Sequence, residues 1–104
     1  MNNKYSLITG GTAGIGLDIA KELAKRGHNI LLTARREERL KEISASIKEE
    51  FNVDCNYIAA DLADASAPDI IYNFCYINNY IVEILVNNAG YSINKKFHET
   101  GEHE

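Results

Sequence analysis

The sequence contains no apolar stretch that approaches the roughly 20 residues of a membrane-spanning helix. It opens on Met1-Asn2-Asn3-Lys4, which leads directly into a predicted strand without the apolar core of a secretory signal. Basic residues are also in the minority, with 11 Lys and Arg against 15 Asp and Glu. The net charge of −4 disfavours proteins that bind nucleic acid or anionic membranes through a basic face. We therefore expect a cytoplasmic protein that binds neither.

Cysteine is scarce as well. Cys55 and Cys75 are the two cysteines, and they form no C-x-x-C pair. One lies in a predicted strand and the other in a predicted helix, so both are interpreted as small buried hydrophobic residues in a reducing compartment. A disulfide between them is the alternative that the spacing leaves open.

What the chain does contain is a regular alternation of strands and helices. Strands are predicted at residues 4–9, 29–34, 55–59 and 82–86, and the first helix at 15–26, before Gly27. The apolar face of the second helix is Leu40, Ile43, Ile47 and Phe51, and that of the third, after Pro68, is Ile70, Phe74, Ile77 and Ile81. The short links predict right-handed parallel crossovers. We expect an α/β, Rossmann-like parallel sheet with helices on both faces, in the order 3-2-1-4, ending after the fourth strand.

A glycine-rich turn, Thr9-Gly10-Gly11-Thr12-Ala13-Gly14-Ile15-Gly16, joins the first predicted strand to the first helix. Such a turn directs backbone N–H groups from the positive end of the helix, where a phosphate or pyrophosphate can bind. Gly10 permits the tight turn, Gly14 lets an anion approach the backbone, and Gly16 allows the helix to pack closely on its strand. An ordinary turn and helix start is the alternative.

Together with Asn87-Asn88-Ala89-Gly90 after the fourth strand, this octad resembles the short-chain dehydrogenase/reductase family. The resemblance implies a nicotinamide dinucleotide cofactor and hydride transfer between a carbonyl and an alcohol. It covers nearly all of this chain but only the first half of the family's domain. Residues 1–90 would then form the cofactor-binding half-domain, with residues 91–104 as a loop or frayed tail. The implied cofactor contacts are Gly10, Gly11, Thr12, Gly14, Ile15, Gly16, Asn87, Ala89 and Gly90.

Arg35 follows the second strand, where the resemblance implies that the adenosine ribose binds. The acidic position that would favour NAD is filled by Ala34, and Arg35 can pair with a 2′-phosphate. We therefore expect NADP(H) to be preferred over NAD(H). The alternative is that Arg35 and Arg36 are solvated at a helix start, although two arginines there oppose the helix dipole.

Asp61 and Leu62 follow the third strand. The resemblance implies that Asp61 binds the adenine amino group and that Leu62 lines the pocket of the ring. A simple turn aspartate is the alternative.

No catalytic residue is assigned in this chain. The family's tyrosine, and the lysine four residues after it, lie on a helix well beyond N-N-A-G. The segment Tyr91-Ser92-Ile93-Asn94-Lys95 spells Y-x-x-x-K, but it follows N-N-A-G directly, with no helix start before it. His98 and His103 are separated by Gly101 and do not share a helical face, so no metal site is expected.

Three interpretations remain open at this point. The chain is the cofactor-binding part of an oxidoreductase, without its catalytic half; a non-catalytic dinucleotide-binding module that dimerises; or a degenerate remnant. In the first two, the fourth strand is apolar on both faces and has an unpaired edge. We therefore expect a homo-oligomer formed through that edge.

Overall fold

The computed structural model describes residues 3–10 and 12–88, in which strands and helices alternate. The elements are β1 (Lys4–Thr9), α1 (Gly14–Lys25), β2 (Asn29–Ala34), α2 (Glu37–Phe51), β3 (Cys55–Ala59), α3 (Ala67–Ile77) and β4 (Ile81–Asn87). The strands form one parallel sheet in the order β3-β2-β1-β4. The predicted fold class and strand order are confirmed. None of the helices in the described ranges is long and apolar enough to cross a bilayer.

The sheet is buried on both faces, since β1 is buried at every residue after Lys4 and β2 is buried at its four central residues. One face packs against α1 and α2, and the other packs against α3. Helix α1 presents the small side chains of Ala20 and Ala24 to the sheet, while α2 presents Leu40 and Ile47. Helices therefore cover both faces, as a parallel sheet with crossover connections requires.

Gly27 and Pro68 lie at the helix ends where the sequence predicts them, Gly27 after the end of α1 and Pro68 at the start of α3. After α1, the Gly27 N–H donates to the Ala24 carbonyl at 2.9 Å, and the His28 N–H donates to the Leu23 carbonyl at 3.0 Å. These bonds satisfy carbonyls that the helix end leaves without partners. Pro68 lies in the first turn of α3, where its missing N–H breaks no helical hydrogen bond.

The predicted apolar face of α3 is correct for Phe74, which packs partly buried against the core, and wrong for Ile70, Ile77 and Ile81. The residues that α3 buries are Ala67, Ile71 and Cys75, whereas Ile70 and Ile77 are 45% and 79% exposed. The helix ends at Ile77, and Asn78 caps it by donating from Nδ2 to the Phe74 carbonyl at 2.8 Å. Ile81 begins β4 instead of extending the helix.

The two cysteines are buried and neither is in a disulfide. Cys55 packs in the core beneath α1 and α2, and Cys75 packs in the core beneath α3. The sheet therefore separates the two sulfur atoms, which excludes the disulfide alternative. Burial raises the pKa of Cys55 to about 12 and the pKa of Cys75 to about 11, so both stay protonated at neutral pH.

Strand β4 lies at the edge of the described sheet. Its register against β1 shifts between Tyr5 and Ser6, which pair with Val82 and Ile84, so Glu83 is an extra residue. The bulge lets Val82 pack with the α3 core while Val86 packs with the opposite core. Beyond the bulge, Leu85 remains 43% exposed.

Candidate functional site

The carboxyl ends of the four strands lie level with one another. Thr9 at the end of β1 is in register with Thr33 of β2 and Asn87 of β4, and Ala34 is in register with Ala59 of β3. The loops that follow β1, β2 and β3 therefore emerge at one edge of the sheet. In open α/β sheets, ligands bind in the crevice outside this edge, where the strand order reverses.

Gly10 and Gly14 give the turn after β1 its shape. Both have positive φ, 66° and 60°, which side-chain-bearing residues rarely adopt. The Gly10 N–H donates to the Thr33 carbonyl at 2.8 Å, and this bond holds the turn against the end of β2. At Gly14, a Cβ would meet no protein atom within 4 Å. The backbone of Gly14 is therefore open to a group that approaches from outside.

Gly16 is enclosed by its neighbours. A Cβ there would lie 2.5 Å from the Gly10 carbonyl oxygen and 2.6 Å from Nδ2 of Asn88. The same Nδ2 donates to the Gly10 carbonyl at 3.2 Å, so Asn88 joins the end of β4 to the glycine-rich turn. Close packing of α1 on this turn therefore depends on glycine, as the sequence predicted.

The N-terminus of α1 is suited to an anion. Its first residues have N–H groups with no partner within the helix, and the dipole concentrates positive charge there. Ala13 stands at the cap and makes no side-chain capping hydrogen bond, and the first turn contains no acidic residue. By contrast, α2 has Glu37 and Glu38 in its first turn and α3 has Asp69. At α1 no carboxylate of the helix's own first turn competes with a ligand phosphate.

A groove of about 310 Å³ lies beside this turn, beyond the ends of β2 and β3. Four predicted cofactor contacts line it together: Gly10, Arg35, Asp61 and Leu62. The other lining residues are Thr33, Ala34, Ala60 and Ala63. A groove lined by small apolar residues together with a few polar ones is typical of a small-molecule site.

Two hydrogen bonds hold the far wall of the groove. The Ala60 N–H donates to the Ala34 carbonyl at 2.8 Å, which ties the end of β3 to the end of β2. The Ala63 N–H donates to Oδ1 of Asp61 at 3.0 Å, so the carboxylate that the resemblance assigns to adenine also orders its own turn. The turn interpretation of Asp61 and the binding interpretation are therefore compatible.

The remaining predicted contacts lie around the groove or outside the described residues. Thr12 is half-buried and Ile15 is 71% exposed at the start of α1. Asn87 accepts a hydrogen bond at Oδ1 from the Thr9 hydroxyl at 3.1 Å, which joins β4 to β1. Gly11, Ala89, Gly90, the Y-x-x-x-K segment and the histidine-containing tail lie outside the described residues. Within the described ranges, no three His, Cys, Asp or Glu side chains converge on a possible metal position.

The resemblance implied that the N-N-A-G segment, which includes Asn88, ties the fourth strand to its neighbours, and the Asn88 hydrogen bond to Gly10 does this. The sequence pattern predicted no role for Thr33, Ala60 and Ala63. Thr33 is one residue before Ala34 in a buried strand, and strand periodicity alone does not reveal that it reaches the floor of a groove.

The amino end of the sheet is different in character. There the Tyr5 hydroxyl donates to the Asp54 carboxylate, and Asn56 donates from Nδ2 to the Tyr80 hydroxyl at 2.6 Å. Burial, together with the Asp54 hydrogen bond, raises the pKa of Tyr5 well above its usual range. Because these polar groups satisfy one another, the amino end offers a ligand fewer open partners than the carboxyl end.

Comparison with known proteins shows which family this sequence belongs to. The sequence model of the short chain dehydrogenase family matches residues 4–104. A very-long-chain 3-oxoacyl-CoA reductase of Rattus norvegicus is 43% identical over 89 residues, which are 86% of this chain and 28% of that protein. A fatty acyl-CoA reductase of Acinetobacter baylyi is 38% identical over 100 residues, which are 96% of this chain and 34% of that protein.

Solved structures agree with the fold. The L-sorbose reductase of Gluconobacter frateurii, in complex with NADPH and L-sorbose, superimposes with a TM-score of 0.80 and 39% identity. The match covers 91% of this chain and 36% of that one. A short-chain dehydrogenase of Sphingobium yanoikuyae in complex with NADPH gives a TM-score of 0.64 and 32% identity, over 68% of this chain and 28% of that one. The chain thus spans about a third of the length of its relatives.

Proposed function

The chain belongs to the short chain dehydrogenase family, and on that premise we propose that it binds a nicotinamide dinucleotide at the carboxyl edge of its sheet. Residues 1–90 would form the binding unit of an oxidoreductase, and residues 91–104 would extend from it. The reaction of the whole enzyme would be hydride transfer between NADP(H) and a carbonyl or alcohol. When bound, the cofactor supplies the hydride, and this chain's residues hold and orient it.

The observation that carries this proposal is the shared groove. Gly10, Arg35, Asp61 and Leu62 come from three different loops, yet all four line one groove next to the open N-terminus of α1. An adenosine in the groove would direct its pyrophosphate towards Gly14, whose missing side chain leaves room for phosphate oxygens. The residues therefore fit the group that the family implies. The proposed contacts are Gly10, Gly11, Thr12, Gly14, Ile15, Gly16, Arg35, Asp61, Leu62, Asn87, Ala89 and Gly90.

Arg35 supports a preference for NADP(H). Its exposed side chain borders the groove, while the neighbouring Ala34 offers no carboxylate to a free ribose 2′-hydroxyl. A charge-assisted contact with a 2′-phosphate contributes about 1.5–3 kcal/mol. The lower value suits an exposed arginine and corresponds to about a tenfold preference for NADPH over NADH. The relatives in complex with NADPH are consistent with this choice.

The test of binding is a fluorescence titration of NADPH and NADH with the purified chain. We expect NADPH to bind about ten times more tightly than NADH in low salt, and the difference to shrink as salt screens the exposed charge. Arg35→Ala should remove the preference. Arg36→Ala is the matched control, because Arg36 is a neighbouring arginine that is also exposed but does not line the groove. Equal affinities for the two cofactors in the unmodified chain would refute the assignment of Arg35.

We further propose that this chain by itself does not turn over substrate. No tyrosine in the described ranges lies next to the groove, so none is placed to donate a proton to a carbonyl there. The expected result is NADPH binding without NADPH oxidation on a panel of ketones and aldehydes. Oxidation that is lost in Tyr91→Phe would contradict this, and would assign the proton donor to the Y-x-x-x-K segment.

A second candidate function is a non-catalytic dinucleotide-binding module that acts as a dimer. The exposed edge of β4, with Leu85 43% exposed, favours it. Both candidates require cofactor binding, and only the second requires self-association at low concentration.

A further inference from the structure

The outer edge of β4 is the surface with the strongest requirement for a particular kind of partner. Within the described residues, β4 pairs with β1 on one side and with no strand on the other. Alternate residues of an edge strand direct their N–H and C=O groups away from the sheet. Water or another strand can satisfy these groups, and a strand also covers the apolar side chains beside them.

The two halves of this edge differ. In the amino half, Glu83 is the extra residue of the bulge, and its Oε2 lies 3.5 Å from Nδ1 of His28. A bulge and a charged side chain both discourage pairing with a further strand. After the bulge, β4 runs in unbroken register with β1 through Ile84, Leu85 and Val86, and Leu85 is 43% exposed. Residues 84–86 are therefore the segment of the edge that can accept a strand.

This segment is complementary to a second copy of itself. Two identical edges that pair symmetrically do so around a two-fold axis perpendicular to the sheet, and the paired strands are then antiparallel. In an antiparallel pair, directly opposite residues lie on the same face, and like charges there are destabilising. A pair centred on Glu83 would place two carboxylates opposite each other.

A pair centred on Leu85 has no such conflict. It places Leu85 opposite Leu85 of the second copy, and Ile84 opposite Val86, so every contact within residues 84–86 is apolar. Glu83 then lies opposite the neutral amide of Asn87. Centring the pair on Ile84 would instead place the Glu83 carboxylate opposite Leu85.

We propose that two copies of this chain pair antiparallel through residues 84–86, with Leu85 at the two-fold axis. The pairing joins two four-stranded sheets into one continuous sheet. It deepens the second candidate function by specifying how the module dimerises. The groove is unaffected, because the loops after β1, β2 and β3 line it. The paired segment is short, so the dimer is weak and depends on concentration.

The experiment is disulfide trapping of single-cysteine variants with oxidised glutathione across a dilution series. Directly opposite residues have Cα atoms about 4.5–5.5 Å apart, within the range that a disulfide can bridge. Leu85→Cys should therefore form a covalent dimer at least about tenfold faster than Ile77→Cys, since pairing raises the effective concentration of its thiol. Ile77→Cys is the control on the surface of α3, where the side chain is 79% exposed. The unmodified chain should not cross-link, because Cys55 and Cys75 are buried.

Two further variants test the register. A mixture of Ile84→Cys and Val86→Cys chains should form the mixed disulfide faster than either variant forms its own dimer. In the proposed register, the two copies of each of these residues are more than about 7 Å apart, too far for a disulfide. Faster cross-linking of Glu83→Cys than of Leu85→Cys would overturn the register. Equal rates for Leu85→Cys and Ile77→Cys would overturn the pairing itself.

NADPH titration separates this inference from the proposed function. The reduced variants should bind NADPH as the unmodified chain does, which also shows that they fold, and the trapped dimer should bind one NADPH per chain. Absence of NADPH binding in the unmodified chain would refute the proposed function. In that case circular dichroism would report the folding of the variants, and the cross-linking rates would still decide the pairing.

Discussion

Gly14 and Gly16 lie two residues apart, and the structure requires glycine at each for a different reason. Gly16 is needed because a Cβ would press on the Gly10 carbonyl oxygen, a main-chain atom that cannot move without opening the turn. Gly14 is needed for its φ of +60° and for the open space beside it. A methyl group at Gly14 would touch no protein atom, yet it would project into the region proposed for the pyrophosphate. Gly14 is therefore proposed to matter for cofactor binding, and Gly16 matters for the packing of α1 on the turn.

Gly14→Ala is predicted to lower NADPH affinity by about tenfold or more, because a methyl group blocks charge-assisted hydrogen bonds to the backbone. It should also destabilise the chain by about 1–2 kcal/mol, the cost of a left-handed backbone with a side chain. Gly27→Ala is the matched control, since Gly27 also has positive φ and open space but ends α1 far from the groove. Titrations and urea unfolding of both variants provide the measurement. Similar affinity losses in the two variants would mean that Gly14 acts through strain alone.

Among the helices, α3 is the one whose position in the sequence was predicted correctly but whose buried face was not. Its sequence is apolar on most of its circumference, with Ile70, Ile71, Phe74 and Ile77 spread around the axis. Such a helix has more than one stripe at helical spacing, so the hydrophobic pattern does not select its buried face. In the structure, contact with the sheet selects the stripe through Ala67, Ile71 and Cys75. The larger isoleucines on either side are left towards the surface.

This orientation predicts very different costs for two isoleucines of the same helix. Ile71→Ala should destabilise the chain by about 2–5 kcal/mol, because Ile71 is fully buried and its removal leaves a cavity. Ile77→Ala makes the same chemical change at a side chain that is 79% exposed, and should change stability by no more than about 0.5 kcal/mol. Urea unfolding followed by circular dichroism measures both. Equal destabilisation would mean that Ile77 is covered in solution.

At the scale of the molecule, helices cover both faces of the described sheet, while its two edge strands, β3 and β4, each pair on one side only. Strand β4 also carries an apolar side chain, Leu85, that is 43% exposed. An apolar edge strand with unpaired backbone groups promotes association with another strand. The relatives are about three times as long as this chain, so their folds contain further elements beyond the matched region. We therefore propose that the 104-residue chain self-associates through β4.

Light scattering across a dilution series should show a dimer or larger species for the unmodified chain. Leu85→Lys places a charge on the exposed edge and should shift the equilibrium to monomer. Ile77→Lys adds the same charge on the outer face of α3 and should leave the association unchanged. A well-folded monomer at high concentration would refute association through β4. Dissociation by Ile77→Lys alone would move the interface to α3.

Much of this protein can be predicted from local sequence. The mainly apolar segments of β1 and β2, the glycine spacing after Thr9 and the glycine after α1 each determine a backbone conformation within a few residues. Their alternation then limits the topology to parallel crossovers, and the Rossmann-like glycine turn after the first strand favours the order 3-2-1-4 among them, which the structure has. The positions of Arg35 and Asp61 at the ends of β2 and β3 follow from the same alternation.

The tertiary structure decided what depends on residues far apart in the chain. The buried face of α3 was set by packing against the sheet, and the groove exists because loops after β1, β2 and β3 emerge at one level. Periodicity and motif spacing report local backbone geometry, whereas a side chain's contacts are set by distant segments that only the folded chain brings together.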